Sequence, residues 1–461
     1  MKLLWVGLFS AAILFSGLGK TPLWDRDETE YAQSAVEMQS NNEWLIPTLE
    51  GQPFIEKPIL LFWLVRLSYM AFGVNEFAAR FPAALFGVLT CLAAGFLGKT
   101  LYGARAGFWS GMVLSSMILF AGGFRLLLTD PFFVFFTTLA LAFYARSSLF
   151  LSYLFTGLAV LAKGPIGLFP AGVFMVYEWA QNRYQLDGRV FKSIAGHAAC
   201  AALSCSIAAP WFLYSMSKEK AATTTFFAYD NLARFFQSFE GHSGPAFYYV
   251  IVLALGTLPW TFHLIAALKK SWRERGSQSL PMQGGDLLLA VWTVVLFVFF
   301  SVSATKLPHY MFPVLPALAC WIGKLIAEEP QREKSAARIC GGTLVFVLFA
   351  VFVLLPKVDS YRVMKPIGLA LKANTPPEAK VYGYFVSEPS LFFYGGRLFP
   401  FIEQGSLDDL LSQKEPVYVI TKESRLNETP PKVPFKIVER AKGFAENGGK
   451  MTVLLLSNQV Q

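Results

Sequence analysis

Apolar residues run along this chain in long unbroken blocks rather than in amphipathic stripes, a pattern that predicts helices crossing a lipid bilayer. Candidate spans fall at about 3–18, 77–98, 107–124, 195–214, 247–268, 286–303, 309–326 and 339–356. Three shorter blocks, at about 131–145, 148–162 and 164–180, are parted by Arg146 and Lys163. At 1.5 Å per residue they reach only about 21–25 Å against roughly 30 Å of hydrocarbon, but they are almost free of internal charge and are read as spans. The block 59–73 is different: Arg66 sits in its middle and Glu56-Lys57 at its start. An arginine at the bilayer centre costs about 3 kcal/mol and little at the interface, so this block is read as lying on the membrane.

Charge gives an independent test. With 59–73 in the interface there are about eleven spans, and the basic segments 99–105, Arg146, 183–192, 269–275 and 324–338 share the side of Lys2. That side is then cytoplasmic, because short basic loops stay inside. Were 59–73 a span, KKSWRER, QREKSAAR and NRYQLDGR would all move outside. Composition agrees with a membrane protein, 54% hydrophobic and 16% aromatic. The net charge of +9 sits in these loop clusters, which excludes nucleic acid as its reason. The first block is read as an uncleaved helix, and the five cysteines, all within apolar blocks and without CxxC spacing, as small core residues.

From about residue 359 the character changes. Short β-like runs (KVYGYF, PVYVIT, FKIVER, MTVLLLS) alternate with turn-rich pieces and one helical piece, SLDDLLSQ. The expected organisation is a polytopic α-helical membrane domain over 1–358, with interfacial helices and a first extracytoplasmic loop of about 20–76. A small extracytoplasmic α/β domain over 359–461 follows it.

This topology places a set of charged motifs on the outer face. Helix starts there carry proline beside a charge: Glu56-Lys57-Pro58, Asp130-Pro131, Lys163-Gly164-Pro165 and Lys306-Leu307-Pro308. Helix N-termini and three lysines together suit an anion, so a phosphate at the membrane surface is expected. The loop WDRDETEYA adds Asp25, Asp27, Glu28 and Glu30, either first-turn charges favouring the helix dipole or a source of a catalytic carboxylate. A lone His242 lies in FEGHSGPAFYY.

These residues resemble a known group. Asp27-Glu28 with Tyr31-Ala32, Glu37-Met38 and Pro47, then Glu56-Lys57-Pro58, Trp63, Phe72-Gly73 and Ala79-Arg80-Phe81-Pro82, are similar to the first outer loop of the lipid A aminoarabinose transferases. More broadly they resemble the glycosyltransferase family 39 and protein O-mannosyltransferase group of GT-C enzymes. Further matches are Thr129-Asp130, Gly157-Leu158-Ala159, Lys163-Gly164-Pro165, Asn231, Arg234-Phe235, Gly244-Pro245, Pro259-Trp260 and Lys306-Leu307-Pro308-His309-Tyr310. The likeness runs in order to about residue 320 and carries no marker in the tail.

The resemblance implies a GT-C fold and transfer of a sugar from a polyprenyl phosphate, undecaprenyl phosphate in a bacterium, to an envelope lipid, glycan or protein. The reaction would take place at the periplasmic face of the inner membrane. It implies Asp27, Glu28 and Asp130 as the catalytic carboxylates, with Asp27 acting on the acceptor hydroxyl. Lys57, Lys163, Lys306 and Tyr310 would stand at the donor phosphate, and Glu56 and His242 would hold a divalent metal such as zinc. One position departs from the pattern: Glu30 stands where those transferases usually have arginine, which leaves sugar and acceptor open. The rival reading is a transporter or flippase of a lipid-linked sugar, which would carry charges near the bilayer midplane and commonly a repeat of spans.

Overall fold

A computed structural model describes residues 2–182, 185, 188–238, 241–245, 247–277, 284–445 and 449–459. Part of the NRYQLDGR loop lies outside them. Helix α1 (Lys2–Phe15) leads into the first outer loop, which holds α2 (Asp27–Ser40), a two-residue hairpin β1 (Thr48–Leu49) and β2 (Gln52–Pro53), and α3 (Leu60–Phe72). Then come α4 (Glu76–Tyr102), α5 (Ala104–Ser115), α6 (Ile118–Gly123), α7 (Asp130–Tyr144), α8 (Leu149–Lys163) and α9 (Phe169–Gln181). The bundle continues with α10 (Gly188–Lys218), α11 (Lys220–Thr225), α12 (Arg234–Phe236), α13 (Tyr248–Gly256), α14 (Thr261–Ser277), α15 (Gly284–Val302), α16 (Leu315–Glu328), α17 (Glu333–Phe349) and α18 (Leu355–Asp359).

The eleven apolar blocks expected as spans all fall in helices, two of them broken. Among the described residues six helical stretches are long and apolar enough to cross a membrane, seven when α13 and α14 are taken together. The expected span over 247–268 is bent by 111° between these two helices. The stretch Leu149–Gln181 qualifies as one run of 33 residues, but it folds back on itself. Gly164 takes φ 74°, a methyl on Gly167 would strike the backbone of Ala159 and Val160, and Tyr153 at the start of α8 meets Phe174 in α9 at 5.8 Å. Small residues let the helices approach closely, as where a methyl on Gly107 of α5 would meet the Gly95 carbonyl of α4.

Helix α3 packs against the first outer loop. Its 13 residues measure about 20 Å. Arg66 is buried against the outer loop, donating to the Glu43 carbonyl and to Asn42 Oδ1 (2.9 Å), with its guanidinium 3.7 Å from the Trp44 ring. Gly73 (φ 73°) ends the helix, and Asn75 caps α4 by accepting from the Ala78 amide.

The basic loops gather at the other end of the bundle. Arg105 pairs with Glu333 at 2.6 Å, Lys270 with Glu328 at 2.8 Å, and Lys324 with Asp286 at 2.8 Å and Glu274 at 3.2 Å.

After α18 the chain builds a five-stranded sheet with its own core. Helix α19 (Met364–Asn374) precedes β3 (Lys380–Tyr384); α20 (Ser390–Gly395) leads to β4 (Phe401–Ile402), and α21 (Leu407–Leu411) to β5 (Val417–Lys422). Helix α22 (Glu423–Glu428) then precedes β6 (Lys436–Ala445) and β7 (Gly449–Ser457). The strand order is β4-β3-β5-β7-β6; the first three are parallel, and β7 is antiparallel to both its neighbours. The expected SLDDLLSQ helix is α21, closed at its start by a Ser406–Asp409 capping box.

Candidate active site

The acidic turn is held by one buried ion pair. Glu28, in the first turn of α2, faces Arg80 of α4, both side chains 2% exposed. Glu28 Oε1 accepts from Arg80 Nε (2.8 Å) and the Leu127 amide (2.8 Å), and Oε2 from Arg80 Nη2 (2.6 Å) and the Trp24 amide (3.0 Å). One carboxylate therefore ties the start of α2 to the turn that leads into α7. Both Glu28 oxygens are thus engaged in holding the two loops that carry Asp27 and Asp130.

Asp27, by contrast, is exposed. Its Oδ1 accepts from the Tyr31 hydroxyl at 3.2 Å, one turn along the same helix. Burial, and Asp27 beside it, push the Tyr31 phenol well above its ordinary range, so it remains a donor. Lys57 lies 5.8 Å from the same ring.

Asp130 is buried at the start of α7 and pairs with Lys163 at 2.5 Å. Lys163 ends α8, with its ammonium 5.7 Å from the Phe133 ring and 5.8 Å from the Tyr310 ring. Tyr310 lies in the 3₁₀ turn Pro308–Val314 before α16 and stacks on Phe300 at 4.8 Å. Its hydroxyl feels Arg234, Asp130 and Asp27, and the His309 ring feels Asp130, Lys163, Asp27 and Lys57. Four sequence-distant segments thus converge on one mouth: the acidic turn, the Glu56-Lys57 turn, the Asp130 and Lys163 helix ends, and the His309-Tyr310 turn.

Lys306 does not join them. Its ammonium donates to the Ser301 and Ser303 carbonyls, 2.8 Å each, capping the end of α15. The hydrogen-bond acceptors of its ammonium in this structure are backbone oxygens.

Glu56 faces acidic neighbours. Burial first, then Glu56 and Asp27, raise the Glu30 carboxyl to about 7 against the pull of Arg26 and Lys57. The backbone carbonyl of His242 accepts from the Lys306 amide at 2.8 Å. Among the described residues no three His, Cys, Asp or Glu side chains come together as a metal site, and two ligands fall short of the three that catalytic zinc keeps. Among the described residues Glu56 and His242 therefore lack the third ligand that a catalytic zinc would need.

Two further groups stand beside these residues that the sequence reading did not assign, His309 and Arg234, and a third, Arg80, holds the acidic turn. His309 precedes Tyr310 in KLPHY, Arg234 stands in NLARF, and Arg80 in AARFP. Each lies in a motif that marked the resemblance, and that was the available signal. The helix bearing Arg234 is also drawn wide as a π-helix over Phe226–Ala233, a form that is frequent at functional sites.

The arrangement offers an exposed carboxylate beside cationic and hydroxyl groups, suited to accepting a proton while a phosphate is held. Residues 21–226 match the family described as dolichyl-phosphate-mannose-protein mannosyltransferase. The undecaprenyl phosphate-alpha-4-amino-4-deoxy-L-arabinose arabinosyl transferase of Edwardsiella ictaluri is 31% identical over 355 residues, 73% of this chain and 62% of that protein. The protein of the same name from Pseudomonas aeruginosa strain UCBPP-PA14 is 30% identical over 336 residues, 70% and 59%. The chain therefore spans about three fifths of the length of these curated relatives. Among solved structures, ArnT from Cupriavidus metallidurans bound to undecaprenyl phosphate superimposes with a TM-score of 0.80 at 20% identity, covering 99% of this chain and 98% of that one. The Archaeoglobus fulgidus oligosaccharyltransferase AglB, with a dolichol-phosphate, gives 0.56 at 11% identity, covering 87% and 63%. The chain is a multi-span membrane protein with the fold of the ArnT structure, and its residues 21–226 match the model of the dolichyl-phosphate-mannose-protein mannosyltransferase family.

Proposed function

We propose that the protein is a membrane glycosyltransferase that moves a sugar from a polyprenyl phosphate to an acceptor hydroxyl on an envelope lipid, glycan or protein. The observation that carries this is the exposed Asp27 carboxylate at a mouth shared with Lys57, Lys163, Tyr310 and Arg234. Undecaprenyl phosphate is the carrier in the names of its relatives and is the carrier we assign. The membrane helices, 1–358, form the catalytic unit, and 359–461 an outer unit. By the loop charges the mouth opens on the periplasmic side of a bacterial inner membrane.

In the reaction the acceptor oxygen attacks C1 of the sugar as its proton passes to Asp27. The C1–O bond to the phosphate breaks, and polyprenyl phosphate leaves with the electron pair. Lys57, Lys163 and Arg234 offset the charge gathering on that leaving group, and Tyr310 donates to it. Asp130 holds Lys163 in place through its 2.5 Å pair. A single displacement inverts C1, by analogy with one-step glycosidase chemistry.

The test is purified protein in liposomes with a glycolipid labelled in both sugar and lipid. With envelope lipid added as acceptor, transfer predicts free polyprenyl phosphate and sugar-labelled acceptor appearing together in equal amounts. Intact glycolipid crossing the bilayer, with neither product formed, would favour the flippase instead.

A further inference from the structure

The tail sheet sits against the catalytic loop through polar contacts that converge on one short segment. Asp25, two residues before Asp27, turns away from the mouth toward the C-terminal unit. Its Oδ1 accepts from the Ser390 amide (3.1 Å) and the Thr29 hydroxyl (2.7 Å), and its Oδ2 from the Ser390 hydroxyl (2.7 Å). Ser390 is 1% exposed, at the start of α20. Arg362, also buried, donates through Nη1 to the Pro22 carbonyl (2.9 Å) and through Nη2 to the Leu23 carbonyl (2.7 Å), with its guanidinium 4.8 Å from the Trp24 ring. The Tyr394 hydroxyl accepts from the Leu23 amide at 2.9 Å. Residues 22–25 each meet the tail, and 22–24 lie in neither helix nor strand, so the tail supplies partners that their own secondary structure does not.

We propose that the C-terminal α/β unit is a positioning module: Ser390 and Arg362 grip residues 22–25 and so set where Asp27 stands at the mouth. Arg80 holds the same segment from the membrane side, donating to the Thr21 and Pro22 carbonyls at 2.8 Å. The segment is thus held from two sides, by Arg80 of the bundle and by Ser390 and Arg362 of the tail. Thr29 carries the tail's hold into the first turn of α2, because its hydroxyl binds the Asp25 carboxylate that Ser390 also binds. A base works only when held within hydrogen-bond reach of the proton it takes, and small misplacements are costly. Ser390 and Arg362 touch no reacting atom; they act through the segment they hold.

The experiment uses the full chain in lipid nanodiscs, as wild type, Ser390→Ala, Ser390→Thr, Asp25→Asn and the Ser390→Ala/Asp25→Asn double variant. Two quantities are read: amide hydrogen exchange over 20–31, and turnover with donor KM. The turnover arm rests on the transferase reading above, whereas the exchange arm does not. The proposal predicts faster exchange confined to 20–31 in Ser390→Ala and a fall in kcat of about tenfold with donor KM unchanged. Ser390→Thr restores both, and the double variant is no worse than the poorer single variant, since both break one contact. Wild-type exchange in Ser390→Ala and Asp25→Asn alike would overturn the proposal. So would a raised donor KM at full kcat, or loss of protection throughout the chain in both single variants, which would make the contact a general folding element. If the wild type transfers no sugar, the transferase reading falls, and the exchange result alone decides whether the tail grips the loop.

Discussion

Replacing Glu28 with glutamine removes one charge, yet the geometry makes it a severe change. Oε1 faces the Arg80 Nε and Leu127 donors and Oε2 faces the Arg80 Nη2 and Trp24 donors. Whichever way the new amide is turned, its NH₂ points at two N–H groups. Arg80, 2% exposed, is left in the protein interior without its counter-charge. Breaking a buried pair by removing one partner costs about 3–5 kcal/mol. Thermal unfolding of the purified protein in detergent should therefore show a large drop in the midpoint for Glu28→Gln. Asp27→Asn, altering an exposed group, should unfold close to wild type. If Glu28→Gln unfolds with the wild type while transfer falls a hundredfold, Glu28 acts at the reacting atoms and the clamp assignment is wrong.

Other outcomes follow from the same geometry. Because the Glu30 carboxyl is raised from 4.5 to about 7, folding binds its proton, and the cost of holding it ionised grows as pH rises through that window. Glu30→Gln should therefore stabilise the protein above pH 7, with the gain vanishing below about pH 4.5; an equal gain at both ends would exclude Glu30 as its source. Lys57→Ala should weaken undecaprenyl phosphate binding about tenfold, and Lys306→Met should leave it unchanged, as titration of the purified variants would show. Equal losses would return Lys306 to the phosphate. Cysteines replacing Lys269 and Lys334 should react with an impermeant reagent only after cells are opened, and one replacing Lys414 in intact cells. The reverse pattern would turn the mouth to the cytoplasm.

Apolar blocks and loop charge were enough to place the helices, because a bilayer admits few alternatives for a long uncharged run. They also set 59–73 apart from the other blocks, and in the structure its Arg66 stacks on Trp44 of the outer loop. The 111° bend between α13 and α14 was not legible, since hydropathy sees only a continuous apolar run. Sidedness placed Asp27, Lys57, Asp130, Lys163 and Tyr310 on one face, and the fold then brings their segments near one another. Which charges point into the mouth did not: Lys306 and Lys163 share the same motif form, and only packing turns one onto the carbonyls of α15 and the other toward Tyr310. Glu28 and Asp27 are adjacent acids in one helix start, and their division into clamp and exposed carboxylate depends on Arg80, fifty-two residues away. The hold of Ser390 on Asp25 spans 365 residues and leaves no local trace in the sequence.

The most direct test of the account is the turnover of Asp27→Asn with a labelled polyprenyl-phosphate sugar, measured beside donor binding on the same preparation. The substitution keeps the size of the side chain and an acceptor for the Tyr31 hydroxyl, and removes the basic oxygen. Transfer should fall by a factor on the order of 10² or more, the scale of losing a general base, with donor affinity and unfolding temperature at wild-type values. Transfer at the wild-type rate in Asp27→Asn would contradict the account, and would move the search for the base to Asp130.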